Sequence, residues 1–96
     1  MLLSMLLSLS SLTTAHAADR PLGPCEAEAR QQTAHYALMS VYGEHCRGAE
    51  IKTTSSSHSG DNYSYEFAVD CKVGIYTDHE TFQLGSDGLC RYNGGE

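Results

Sequence analysis

The stretch YSYEFAVDCKV, residues 63–73, decides the fold of this chain. Apolar or aromatic side chains and one cysteine occupy every odd position of the stretch, whereas the even positions are small or charged. Successive side chains of a β-strand point to opposite faces of its sheet, so the alternation predicts a long strand with one buried and one solvated face. Such a strand belongs in an antiparallel sheet that is covered on one side.

The segments on either side of this strand complete a sheet. After it we expect a turn at Thr77-Asp78-His79, a strand over residues 80–84, a turn over residues 85–88 and a last strand over residues 89–92. Residues 93–96 are expected to fray. Before it, the β-forming residues Ile51, Thr53 and Thr54 predict a strand that leads into a polar loop over residues 55–62.

The segment from Cys25 to about Tyr42 has the features of a helix. Pro24 suits the first turn of a helix, and the acidic side chains near the amino end interact favourably with the positive end of the helix dipole. At 100° per residue a narrow stripe falls on one face, and we expect it to be buried: Ala27, Ala34, Leu38 and Val41. The expected fold class is α+β, with one N-terminal helix packed on a three- to four-stranded antiparallel meander and two disulfides.

The first 17 residues predict export. Residues 1–14 contain eight Leu or Met and no charged side chain, and they lead into Ala15-His16-Ala17. An apolar run followed by an A-x-A pattern is typical of a signal peptide, and we expect cleavage after Ala17. A membrane-spanning helix needs about 20 apolar residues, so no permanent membrane anchor is expected. Residues 18–96 then form a single small domain in the periplasm or outside the cell.

Four cysteines, Cys25, Cys46, Cys71 and Cys90, lie in the expected domain, and no two of them form a C-x-x-C motif. In an exported chain this short they predict two structural disulfides. A helix that begins at Cys25 carries the chain too far for Cys46 to return to it. If consecutive strands alternate in direction beside the helix, Cys71 comes near Cys46 at the carboxyl end of the helix and Cys90 comes near Cys25 at its amino end. We therefore expect the disulfides Cys46–Cys71 and Cys25–Cys90.

The charge and the surface residues bear on partners. A net charge of −6 repels phosphate backbones and acidic membranes, which excludes nucleic acid as the expected partner. A protein partner is expected, and a basic one is favoured over an acidic one. The helix face opposite or oblique to the buried stripe offers a small contact patch of four residues: Gln32, Tyr36, Met39 and Ser40.

No motif of a nucleophile, a phosphate loop or a metal site is present in the sequence. His35 and His45 are too far apart on the helix to share a metal, and no cofactor or metal is expected. Small secreted ribonucleases use His and Glu as acid and base with Arg beside the phosphate. Glu66, His79 and Arg91 could supply such a set, although their spacing does not require it.

Three functions follow from these observations. The first is an exported binding or accessory protein, inhibitor-like or immunity-like, which acts through protein–protein contact. The second is a small secreted hydrolase of ribonuclease type that uses His and Glu. The third is a structural or host-directed exported protein without enzymatic activity, which the sequence does not distinguish from the first. The sequence also leaves the oligomeric state open.

Overall fold

A computed structural model describes residues 21–95 of the chain, and it confirms the expected fold class. One helix packs on one face of a four-stranded antiparallel sheet whose spatial order, β1-β2-β3-β4, is that of a meander. The predicted signal peptide and its cleavage site after Ala17 lie outside the described residues. The elements are α1 (Glu26–Met39), a short 3₁₀ turn (Gly43–Cys46), β1 (Ile51–Ser59), β2 (Asn62–Asp70), β3 (Ile75–Leu84) and β4 (Cys90–Gly95).

Strand β2 supplies the centre of the core. Its inward side chains Tyr65, Phe67 and Val69 are buried, and Cys71, just beyond the strand, is buried as well. This confirms the alternation expected for residues 63–71. Val73 departs from the pattern and is exposed, because the chain has already turned away from the sheet at that point.

Strand β1 is longer than expected and replaces the predicted polar loop over residues 55–62. Ser55, Ser57 and Ser59 pair with Glu66, Ser64 and Asn62 of β2, and the connecting turn is confined to Gly60 and Asp61. The loop prediction was wrong because it was based on the polarity of the serine side chains. The strand is held by backbone hydrogen bonds to β2, which do not depend on that polarity. It lies at the edge of the sheet, where its side chains are free to be polar.

The turn predicted at Thr77-Asp78-His79 was also wrong. The chain reverses at residues 71–74, where the Cys71 N–H donates to the Gly74 carbonyl, and β3 continues without a break through residues 75–84. Asp78 is a favourable turn residue by composition, but here its side chain points into the core. At the other end, residues 93–95, which were expected to fray, belong to β4, and residue 96 lies outside the described residues.

Helix α1 ends at Met39, earlier than expected, and it buries a different stripe. The buried positions are Glu26, Ala29, Thr33 and Ala37. Of the predicted stripe, Ala27 and Val41 are exposed, whereas Ala34 and Leu38 are half-buried. The prediction failed because two of the buried residues are polar and are matched by polar partners on the sheet, which a hydrophobicity pattern does not register.

The polar partners at the amino half of α1 are on β1. The Glu26 carboxylate accepts hydrogen bonds from the Gly23 N–H at 2.8 Å and the Thr53 hydroxyl at 2.6 Å. The Arg30 guanidinium donates to the Ile51 carbonyl at 2.6 Å and lies 5.5 Å from the centre of the Phe67 ring. These contacts satisfy a buried carboxylate that would otherwise carry a large desolvation cost.

Both predicted disulfides are present, Cys25–Cys90 and Cys46–Cys71. Cys25 immediately precedes α1, and Cys46 ends the 3₁₀ turn that follows it. The helix is therefore tied to the sheet at both of its ends. Disulfides of this kind are compatible with an extracellular or periplasmic location. Within residues 21–95, none of the helices has the length and apolar character that crossing a membrane requires.

Removing either disulfide is expected to destabilise the domain substantially. The bonded cysteines are 65 residues apart in Cys25–Cys90 and 25 apart in Cys46–Cys71. Restriction of the unfolded chain then amounts to about 3 to 4 kcal/mol for each bond, a large part of a small domain's stability. Urea unfolding of the two double Cys→Ala variants at pH 7 measures this loss. A loss below about 1 kcal/mol for both would show that the bonds do not hold the fold together.

Candidate functional site

Four large apolar side chains are exposed at the end of the molecule where α1 finishes. Met39 is 68 % exposed, Val41 96 %, Val73 59 % and Ile75 55 %. Two of them follow from the end of the helix, and two come from the turn between β2 and β3 and the first residue of β3. We call this set the end patch.

The two segments that form the end patch are held together by Cys46–Cys71 and by a ring contact. The ring of Tyr42 lies against Gly74, so closely that a Cβ atom at Gly74 would come within 2.5 Å of a ring carbon. Gly74 stands between Val73 and Ile75, and Tyr42 directly follows Val41. The exposed apolar side chains are thus presented by a fixed backbone.

The surroundings of the end patch carry no net charge. Glu44 and Arg47 form a paired contact with distances of 2.6 and 2.9 Å, although both are exposed, so this ion pair adds little to stability. Glu50, Lys52 and Asp70 line a groove together with Ile75, and Lys72 precedes Val73 in the sequence. Together with Glu44 and Arg47 these charges cancel, so the net charge of −6 belongs to the rest of the chain.

The contact patch predicted from the sequence lies beside the end patch, on the flank of α1. Met39 is its most exposed member, whereas Gln32, Tyr36 and Ser40 are half-buried. The Ser40 hydroxyl donates to the Ala37 carbonyl at 2.6 Å and helps to end the helix. Gln32 and Tyr36 are neighbours, with 3.5 Å between the Gln32 amide nitrogen and the Tyr36 hydroxyl.

Sequence reasoning missed the other three members of the end patch. Val41 was assigned to the buried helix stripe, and Val73 was assigned to the inner face of the long strand. Their exposure results from the early end of α1 and the early turn after β2, which the hydrophobic pattern does not mark. Ile75 has the parity of the outward positions Thr77 and His79, and this signal would have placed it outside had the start of β3 been known.

A second feature lies under the middle of α1, where β3 points two carboxyl groups into the core. Asp78 is 5 % exposed and Glu80 is fully buried. Asp78 accepts hydrogen bonds from the Thr33 hydroxyl and from the His79 N–H, both at 2.9 Å. Neither Glu80 oxygen receives a hydrogen bond from an N–H group or a cation among the described residues.

Asp78 and Glu80 point to the same face of β3, and their surroundings decide which of them keeps a proton. Burial and the neighbouring Asp78 carboxyl group together raise the pKa of Glu80 to about 8. Asp78 accepts hydrogen bonds from two donors, whereas neither Glu80 oxygen has a partner among the described residues, so Glu80 is the carboxyl group that keeps its proton. The nearby Tyr92 hydroxyl opposes the rise in the pKa of Glu80 as the smallest of the contributions.

Tyrosines close this cluster toward the surface. A hydrogen bond with Tyr36, followed by burial and the charge of Glu80, raises the pKa of Tyr92. Tyr36 belongs to the contact patch predicted from the sequence, so the helix flank and the buried carboxyl groups are connected. Sequence reasoning missed the pair because Asp78 was assigned to a turn. The alternation of Asp78, Glu80 and Phe82 along β3 was the available signal.

The uncovered face of the sheet holds the residues considered for hydrolysis. Glu66 and His79 lie directly opposite each other on β2 and β3, beside an open groove of about 560 Å³. Glu66 accepts a hydrogen bond from the Ser55 hydroxyl at 3.0 Å. Arg91 does not join them: it pairs with Gln83 along the sheet and binds Asp87 at 2.9 Å. Gln83 is four positions from His79 along β3, which places their Cα atoms roughly 13 Å apart.

The other histidines of the described chain, His35, His45 and His58, do not assemble into a metal site. His58 stacks on Tyr63 with 5.1 Å between ring centres, and His35 lies against Tyr36 on the helix flank. Within the part of the chain that the structure describes, no group of three or more His, Cys, Asp or Glu side chains is placed to hold a metal ion.

Comparisons with protein-family models, curated protein sequences and solved structures find no match.

The position of Glu80 makes stability depend on pH. Its ordinary pKa is 4.5, and in the folded protein it is about 8. Between these values the unfolded chain loses the proton while the folded protein keeps it, so stability falls as pH rises through this interval. The loss is about 1.4 kcal/mol per unit of pKa difference.

Replacing Glu80→Gln is expected to remove this contribution while retaining an N–H donor toward Asp78. Urea unfolding between pH 4.5 and pH 8.5, an interval set by the two pKa values, measures the slope. Glu66→Gln on the exposed sheet face is the matched control and should keep the wild-type slope. Equal slopes for Glu80→Gln and wild type would show that Glu80 is ionised in the folded protein.

Proposed function

We propose that this chain is an exported binding protein, inhibitor-like or immunity-like, and that the end patch is its contact surface. The observation that carries the proposal is the near-complete exposure of Val41, 96 %, among three further exposed apolar side chains. Single exposed apolar residues are ordinary on protein surfaces. A group of them held in one place is typical of a site that another protein covers.

The form of the end patch supports this proposal. Protein interfaces have an apolar centre and a polar rim, and here the apolar side chains are surrounded by charges of both signs. The Cys46–Cys71 bond and the Tyr42–Gly74 contact restrict the two segments before a partner arrives. Less conformational entropy is then lost on binding.

Charge supports a particular kind of partner. The net charge of −6 lies outside the end patch, so it does not oppose apolar contact but acts at longer range. A field of this sign speeds the approach of a basic protein and repels nucleic acid. The association rate should therefore fall as salt rises, while the dissociation rate, which depends on the apolar contact, should change little.

A photo-crosslinking amino acid at position 41 tests the proposed surface in the exporting cell. A single defined adduct is expected from position 41, and none from position 57, an exposed position on β1. With the purified adduct partner, Val41→Asp should weaken binding by at least about tenfold, or 1.4 kcal/mol. Ser57→Asp adds the same charge elsewhere and should leave binding unchanged. Equal effects of the two substitutions would contradict the proposal, and no adduct would favour a structural or host-directed exported protein.

A second candidate function is a small secreted hydrolase, and one observation favours it. Glu66 and His79, the acid–base pair considered from the sequence, face each other across β2 and β3 on the open side of the sheet. There Glu66 could accept the proton of an attacking hydroxyl while His79 donates one to the leaving group. With Arg91 held by Asp87, a cationic group for a phosphate is missing from this pair.

Turnover of RNA or peptidoglycan by the purified protein tests the hydrolase. If the pair is catalytic, Glu66→Gln and His79→Ala should each lower the rate by about a hundredfold or more while the fold is retained. Thr77→Ala, on the same exposed face, is the control for surface changes. Turnover that survives both substitutions would rule out this pair.

A further inference from the structure

Helix α1 is built as a strap. Cys25 at its amino end is bonded to Cys90, and Cys46 beyond its carboxyl end is bonded to Cys71. A helix tied to the sheet at both ends can move away from the sheet between the ties without detaching. Such a motion costs only the contacts made by the helix itself.

The contacts that dock α1 are mainly small or polar. Its fully buried apolar side chains are Ala29 and Ala37, which remove little apolar area from water. Toward the amino end, Glu26 and Arg30 bind β1 through Thr53 and the Ile51 carbonyl. In the middle, Thr33 donates a hydrogen bond to Asp78 of β3, and Tyr36 has a hydrogen bond with Tyr92 of β4.

We propose that a protonated Glu80 latches the middle of α1 to the sheet, and that loss of this proton releases the strap. Thr33 on the helix donates a hydrogen bond to Asp78, and Asp78 lies beside the fully buried Glu80 on the same face of β3. Without the proton, two carboxylates face each other in a space sealed from water, which is highly unfavourable. Lifting the helix admits water and relieves the repulsion.

The groups that face Glu80 from the surrounding elements cannot replace the proton. Helix α1 contributes the Thr33 and Tyr36 hydroxyls, and β2 contributes Tyr65, which lies directly opposite Glu80. Strand β3 adds Asp78 and Tyr76, and β4 adds Tyr92. Arg30, a cation on α1, already interacts with Glu26, the Ile51 carbonyl and Thr53.

The tyrosines remain neutral over the pH range in which the latch operates. Burial and nearby carboxylates raise the pKa of Tyr65 and of Tyr76, and the pKa of Tyr92 is raised as well. Changes seen below pH 10, the ordinary tyrosine pKa, are therefore not caused by ionisation of these three tyrosines.

Two measurements on the oxidised mature protein test the latch together. Carboxyl ¹³C NMR follows the titration of Glu80, and hydrogen exchange follows the amides of α1 and of β2, corrected for the intrinsic effect of pH. We expect Glu80 to titrate far above 4.5. We expect the protection of residues 32–37 to fall by up to about tenfold per pH unit between pH 4.5 and the Glu80 midpoint and to level off above it, while β2 remains protected.

Variants separate the latch from a general loss of stability. Glu80→Gln should keep α1 protected at high pH, whereas the exposed control Glu66→Gln should behave as the wild type. If Glu80→Gln does not fold, Thr33→Val serves instead, because it keeps the carboxyl pair and removes only the helix contact. Its α1 amides should already exchange faster than those of the wild type at low pH, and their protection should still fall as pH rises because the carboxyl pair is retained.

The proposal is overturned by any of three results. Glu80 could titrate near 4.5, which would mean that Glu80 is ionised in the folded protein at neutral pH. Glu80 could titrate high while the protection of α1 stays constant, which would leave the pair as a structural feature. Finally, α1 and β2 could lose protection together, which would indicate global unfolding rather than release of a strap.

Discussion

The attachment of α1 to the sheet is the constraint on which the rest of this structure depends. The inner face of the sheet is apolar and centred on Phe67, but the side chains that α1 buries against it are mainly alanine, threonine and a paired glutamate. So little apolar contact would not hold a helix in place in a chain of this size. The two disulfides supply the missing attachment, one at each end of the helix. Polar contacts to β1 and β3 then determine how the helix lies between them.

The same attachment shapes the proposed contact surface. Because α1 ends at Met39 and the chain must still reach Cys46, the residues between them are presented at the end of the molecule. Cys71 fixes the turn after β2 beside them, and apolar side chains from both segments are left uncovered. An exposed valine on a mobile loop would lose much of its binding energy to ordering. On a backbone that a disulfide already restricts, this conformational entropy is lost during folding and not on binding.

The carboxyl pair shows how a small core can hold charge without a salt bridge. Asp78 receives two donors, and Glu80 remains neutral by keeping its proton, so only one negative charge is buried. The amino half of α1 solves the same problem differently, with Arg30 beside Glu26. Near Glu80 the burial of charge is avoided by a proton, whereas near Glu26 the charge is compensated by a cation, so the middle of the helix is the part of the fold that we propose responds to loss of a proton.

The sequence by itself determined the helix-on-meander architecture, the inner face of β2 and both disulfides, because these depend on strand periodicity and on how far a chain can reach. It did not determine the ends of the elements. Val41 and Val73 were placed inside because hydrophobicity records a preference for burial, while the actual burial depends on where α1 and β2 stop. Asp78 was placed in a turn because an isolated aspartate favours one, but Thr33, 45 residues away, supplies the hydrogen bond that places it in the core. Only the tertiary structure decided these positions, since the energy of a polar side chain in a core depends on partners that sequence neighbours do not reveal.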